Sequence, residues 1–146
     1  MKGLAASTLW WQPAGGEFTL LAQGGAMLGV DSDLPGAQWK AFNSLGIAGD
    51  YRGPFFVATL VPSKTNVAAA TANSVWACDV AGEPRLLFCT GVPNAVVAGK
   101  TLKSFNLLTA TVGSLGVTRS FNDTQKVVWL ATLTDKSQAI ITTEVP

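Results

Sequence analysis

The chain writes one hairpin pattern twice, and no other feature constrains its fold as strongly. Residues 7–25 read STLWWQPAGGEFTLLAQGG and residues 73–91 read NSVWACDVAGEPRLLFCTG. A shift of 66 positions lays Trp10 on Trp76, Gly16 on Gly82, Glu17 on Glu83, Leu20 on Leu86 and Gly25 on Gly91. A shift of 63 then lays Gly36, Lys40, Phe42 and Asn43 on Gly99, Lys103, Phe105 and Asn106. A shift of 73 brings Ala58, Thr59 and Leu60 onto Ala131, Thr132 and Leu133. A constant order with a drifting offset marks a tandem repeat with loop insertions. We therefore read residues 1–146 as a single β-repeat module. The first unit spans 7–61, a linker 62–72, the second unit 73–133, and an extra strand 137–145 carries Ile140 at the tryptophan position.

Each unit reads as β-structure. FFVATLV (55–61) and KVVWLATL (126–133) are rich in β-branched and aromatic residues, with Gly, Pro, Asn and Asp clustered between such runs. Strands are expected at 7–12, 18–23, 39–47, 55–61, 73–79, 85–90, 102–109, 114–119, 126–133 and 137–144. NVAAATAN (66–73) has helix propensity but is too short for more than a turn of helix or a loop. Phe55, Phe56 and Val57, like Val127, Val128 and Trp129, run without polar alternation, the pattern of strands covered on both faces. The expected fold is all-β, two propeller-blade-like antiparallel units plus one extra C-terminal strand; the alternative is a two-sheet β-sandwich.

Charged residues are 13% of the chain, whereas a soluble domain ordinarily has about a quarter. So little charge means either an unusually large core or apolar strand faces buried against other chains, and the repeat count favours the second. A propeller closes with about four to eight blades, and two units do not suffice. The expectation is a homo-oligomeric ring, a trimer or tetramer, with the extra strand completing the first blade of the next chain. The net charge of +1 is spread without basic runs, so neither nucleic acid nor an anionic membrane surface is an expected partner. No apolar segment reaches the length for membrane insertion, and MKGLAAST lacks the apolar core of a signal peptide.

Nothing in the chain assembles a familiar catalytic set. With no histidine, Ser-His-Asp and Cys-His catalysis and histidine-ligated metals are excluded. GSLG (113–116) is no nucleophile elbow, and no phosphate-cradling loop occurs. The acidic residues fall mainly in turns, and DSD (31–33) lacks the glycine and distal glutamate of a calcium loop. The protein is read as no enzyme, with no cofactor and no metal. A hydrolase built on Asp and Glu alone is the weakest alternative.

Cys78 and Cys89 stand where the first unit has Gln12 and Gln23. If the hairpin folds about Glu83 and Pro84, the two cysteines face each other across it, as a thiol or disulfide pair. Trp10, Trp76 and Trp129 lie in apolar strands and are core candidates. Trp39, flanked by Gln38 and Lys40, has two readings: a ring buried in strand packing, which is favoured, or the centre of a candidate ligand-binding cluster, because an exposed indole can stack on a sugar.

The repeats resemble those of bacterial surface tandem-repeat proteins with an NxxGxxAF signature and variable C-terminal anchors. Val75, Trp76, Gly82, Leu86, Leu87 and Gly91 match the first half of that pattern. Leu34, Pro35, Gly36 and Phe42, with Gly99 and Phe105, match its middle. NDTQKVVWLATL (122–133) matches the last element with Lys126 for its glycine, while GDYRGPFFVATL (49–60) keeps Gly53. The resemblance implies a propeller-like array with an extracytoplasmic location and supplies no catalytic residue. The function expected is a non-catalytic assembly or display module; the alternative is a small carbohydrate-binding lectin using inter-strand loops.

Overall fold

The computed structural model describes residues 7–28, 33–47, 53–61, 73–90, 99–107 and 126–145. They form an all-β structure of three antiparallel sheets. The strands are β1 (Thr8–Trp11), β2 (Thr19–Gln23), β3 (Gln38–Ile47), β4 (Pro54–Val61), β5 (Asn73–Cys78), β6 (Pro84–Cys89), β7 (Leu102–Leu107), β8 (Lys126–Leu133) and β9 (Gln138–Glu144). Sheets run β1-β2, β3-β4-β5-β6 and β7-β8-β9. The strand expected at 114–119, the 62–72 linker and the helical turn within it lie outside the described residues.

The repeat survives down to the register. In the first hairpin Leu9 pairs with Ala22 and Trp10 with Leu20, so Leu21 bulges. In the second, Val75 pairs with Phe88 and Trp76 with Leu86, so Leu87 bulges at the equivalent position. Lys40 bulges from β3 between Trp39 and Ala41, and Lys103 bulges from β7 between Leu102 and Ser104. A bulge adds one residue and local twist, and both copies place it where the sequences superpose.

The sheets do not coincide with the sequence repeat. The central sheet joins β3 and β4, which close the first unit, to β5 and β6, which open the second. Phe56 lies opposite Trp76 in that junction. Strand β9 repeats it by pairing with β8, where Trp129 lies opposite Ile141. Within the chain the extra strand is the outer member of the last sheet. One expectation is corrected. The tryptophan position is held by buried Ile141, whereas Ile140 is 70% exposed.

The central sheet is buried on both faces, which explains its unbroken apolar runs. Its front face, with Trp39, Phe56, Leu60 and Trp76, packs with Leu9 and Ala22 of the first sheet. Its back face, with Phe55, Val75, Ala77 and Phe88, packs with Leu102, Trp129 and Ile141 of the third. Trp76 and Trp129 are fully buried, each with its indole N–H satisfied: by Ser74 Oγ at 2.7 Å and Thr143 Oγ1 at 3.2 Å. The two interfaces are of one kind. Trp129 and Ile141 are the counterparts of Phe56 and Trp76, while Leu9 is the counterpart of Val75. Each time, the back of one sheet meets the front of the next.

Candidate functional site

Trp39 turns inward. It is 6% exposed, with its ring 4.8 Å from that of Trp76 in an edge contact and 5.7 and 5.8 Å from those of Phe42 and Phe56. The indole is packed among three aromatic rings, the buried strand packing favoured from the sequence, and is no exposed stacking platform. Gln38 is half-buried, and Lys40 is exposed because it is the bulged residue. Of these three expected ligand-binding residues, Trp39 borders the cleft described below, and Gln38 and Lys40 do not. The signal was present in the repeat: superposing Lys40 on Lys103 puts Trp39 on Leu102, an aliphatic core position.

The cysteines are not a cross-strand pair. Cys78 lies opposite Pro84 and Cys89 opposite Ser74. Ser74 and Cys78 are four residues apart on β5, about 13 Å at ordinary strand rise, so the two thiols sit at opposite ends of the hairpin. Neither is in a disulfide. The turn sits earlier than expected because Asp79 organises it. Its Oδ1 accepts from Ala81 N–H at 2.9 Å and Glu83 N–H at 3.0 Å, its carbonyl accepts from Gly82 N–H at 2.9 Å, and Gly82 takes φ +82°. Asp opening a turn and Gly closing it in the left-handed region is a type I turn signature. The glutamines of the first unit separate likewise: Gln23 pairs with Thr8, while Gln12 donates to the Gly16 carbonyl.

Both thiols are held protonated. Burial, with Asp79 and Glu83 nearby, pushes Cys78 up to about 12, and burial pushes Cys89 up to about 11. Neither is set up as a nucleophile or a thiolate ligand. Among the described residues the carboxylates are dispersed rather than paired. Asp79 binds Arg85 Nε at 2.8 Å, which holds its carboxyl below the ordinary carboxylate range. Asp135 is held well below that range by Lys100 and Ser137. Asp33 Oδ2 accepts from Leu86 N–H at 2.8 Å, covering the outer edge of β6. Among the described residues no group of acidic and cysteine side chains is placed to hold a metal ion.

Two surface features remain. A cleft of about 520 Å³ opens between β2 and the start of β6, lined by Leu21, Met27, Glu83 and Arg85 over Trp39 and Trp76. The other is the pair of outer sheet faces. Trp10 and Leu20 pair on the front of the first sheet, opposite in pleat to Leu9 and Ala22. Trp10 is 52% exposed and Leu20 41%, with Phe18 exposed beside them. Trp10 is thus no core residue. Its counterpart Trp76 is buried because the first sheet lies on it, and among the described residues no sheet lies on Trp10. At the other end, Val128, Leu130 and Ile140 occupy the back of the third sheet, on the side of β8 and β9 opposite Trp129 and Ile141.

No helix among the described residues is long and apolar enough to cross a membrane. The curated proteins and the solved structures contain no match to the chain. The model of a family of unknown function, DUF7453, matches residues 2–146 of this repeat-built β-chain, which therefore belongs to that family.

Proposed function

We propose that the protein is a non-catalytic β-repeat module of propeller type that associates with copies of itself as an assembly or display element. One observation carries this reading: among the described residues the front-on-back stacking of sheets occurs twice and ends in two faces of the same two kinds, on neither of which a further described sheet lies. Exposed Trp10, Phe18 and Leu20 at one end and Ile140 at the other are large apolar groups that a lightly charged surface does not shield. The dispersal of the described carboxylates and the burial of both thiols favour a structural role over a chemical one. The resemblance to surface repeat proteins supports a display role in an extracytoplasmic setting. Light scattering at micromolar concentration tests the reading: a mass at a multiple of the chain, three or four in a closed ring, supports it. A monomer at every accessible concentration overturns it.

A further inference from the structure

We infer that the association is heterologous: the front of the first sheet, carrying Trp10, Phe18 and Leu20, seats on the back of the third sheet of a second copy, carrying Val128, Leu130 and Ile140. This rests on the assembly reading above and specifies its contact. The two faces continue an interface already formed twice inside the chain. Trp10 is the register counterpart of Trp76, and Leu20 that of Leu86. Val128 and Ile140 are the counterparts of Phe55 and Val75. Within the chain, Phe55 and Val75 belong to one core with Ile141, which itself stands at the position of Trp76. An Ile140 on one copy beside a Trp10 on the next repeats the placement of Val75 and Ile141 in one core.

A two-fold pairing of like faces would instead set front against front, a contact that does not occur among the described residues. Charge does not oppose the seating. Lys126 and Glu144, on the third sheet's back, pair with each other at 3.3 Å at the end of β8 and β9. Because the two patches differ, each copy carries one donor and one acceptor face. Repetition then produces a ring if the rotation closes and a filament if it does not.

The test uses two variants of the full chain. The front-blocked variant carries Trp10→Lys with Leu20→Lys; the back-blocked variant carries Ile140→Lys with Thr142→Lys. All four side chains are exposed, and circular dichroism and thermal melts check that each variant stays folded. Each variant alone is expected to be monomeric by light scattering. Mixed in equal amounts, they are expected to form a species of twice the chain mass, because each retains the face the other lacks. The hetero-association is expected to be at least about tenfold tighter than self-association of either variant.

A back-blocked variant that still dimerises alone while the front-blocked one does not would show front-to-front pairing. That result overturns this inference and leaves the assembly reading standing. Both variants remaining oligomeric would place the contact elsewhere and also overturn it. A wild-type chain that is monomeric throughout overturns the assembly reading itself.

Should the lysine variants fail to fold, disulfide trapping replaces them in a Cys78→Ala, Cys89→Ala background. Chains with Trp10→Cys and chains with Ile140→Cys are expected to cross-link when mixed but not separately. Cross-linking of the Trp10→Cys chain with itself, or no cross-link in the mixture, overturns the heterologous contact.

Discussion

Trp39 and Trp10 show how one residue type takes opposite roles according to what lies against it. Trp39 packs edge-on against Trp76 at 4.8 Å in the first core, so Trp39→Ala leaves a large cavity there. Loss of about 3–5 kcal/mol is expected in denaturant titration, the range for aromatic-to-alanine truncation in a core. Trp10→Ala, on an open face, is expected to change the stability of the isolated chain by less than about 1 kcal/mol. The buried thiols make a second prediction. With folded values of about 12 and 11 against an ordinary 9.0, the unfolded chain loses these protons first as pH rises. Their stabilising contribution is intact below pH 9.0 and is lost through the window from there up to the folded values. Stability measured by urea titration should fall above pH 9.0, and the Cys78→Ala, Cys89→Ala variant should show a shallower fall.

Among the elements, the β5–β6 hairpin depends most visibly on one side chain. Asp79 satisfies two backbone N–H groups of the turn and binds Arg85. Asp79→Ala is expected to cost about 1–2 kcal/mol from the lost turn bonds and to loosen hydrogen exchange at Ala81 and Glu83 before the strands open. Because Arg85 and the turn N–H groups depress the folded carboxyl, its contribution is complete above about pH 4 and is lost as pH falls through the folded value. The β8–β9 hairpin offers the opposite opportunity. Lys136 takes φ +69°, a left-handed conformation that a side chain disfavours. Lys136→Gly is expected to stabilise by about 0.5–1 kcal/mol in the same titration. Strand β9 has a different standing. Ile141 and Val145 contribute to the second core, so removing residues 138–145 is expected to unfold the third sheet rather than detach a linking arm.

At the scale of the molecule, the central sheet belongs to both cores, with Phe56 and Trp76 in one and Phe55 and Val75 in the other. A cavity in either core therefore weakens the layer they share. Trp129→Ala and Trp76→Ala are each expected to lower a single transition, with tryptophan fluorescence and circular dichroism coinciding. Two separated transitions would show that the sheets unfold independently.

The amino-acid sequence by itself determined that this chain is all-β, where its nine described strands run, and that the structure repeats. Strand position follows from local chemistry. Runs such as FFVATLV fit a pleat covered on both sides, and Gly, Asn and Asp end them. The superposition of Lys40 on Lys103 even carried the shared bulge, because side-chain order along a strand follows register. Only the tertiary structure decided which strands share a sheet. Either hairpin could have closed a sheet with its own unit, and the choice of β4 with β5 rests on burying Phe56 opposite Trp76. The cysteine register escaped for a narrower reason. One misplaced turn centre moves every cross-strand partner, and the side-chain bonds of Asp79, not the apolar pattern, set that centre. Burial of the tryptophans was decided last. Trp10 and Trp76 have the same place in the repeat, and only the sheet stacked on Trp76 separates a core residue from an exposed one.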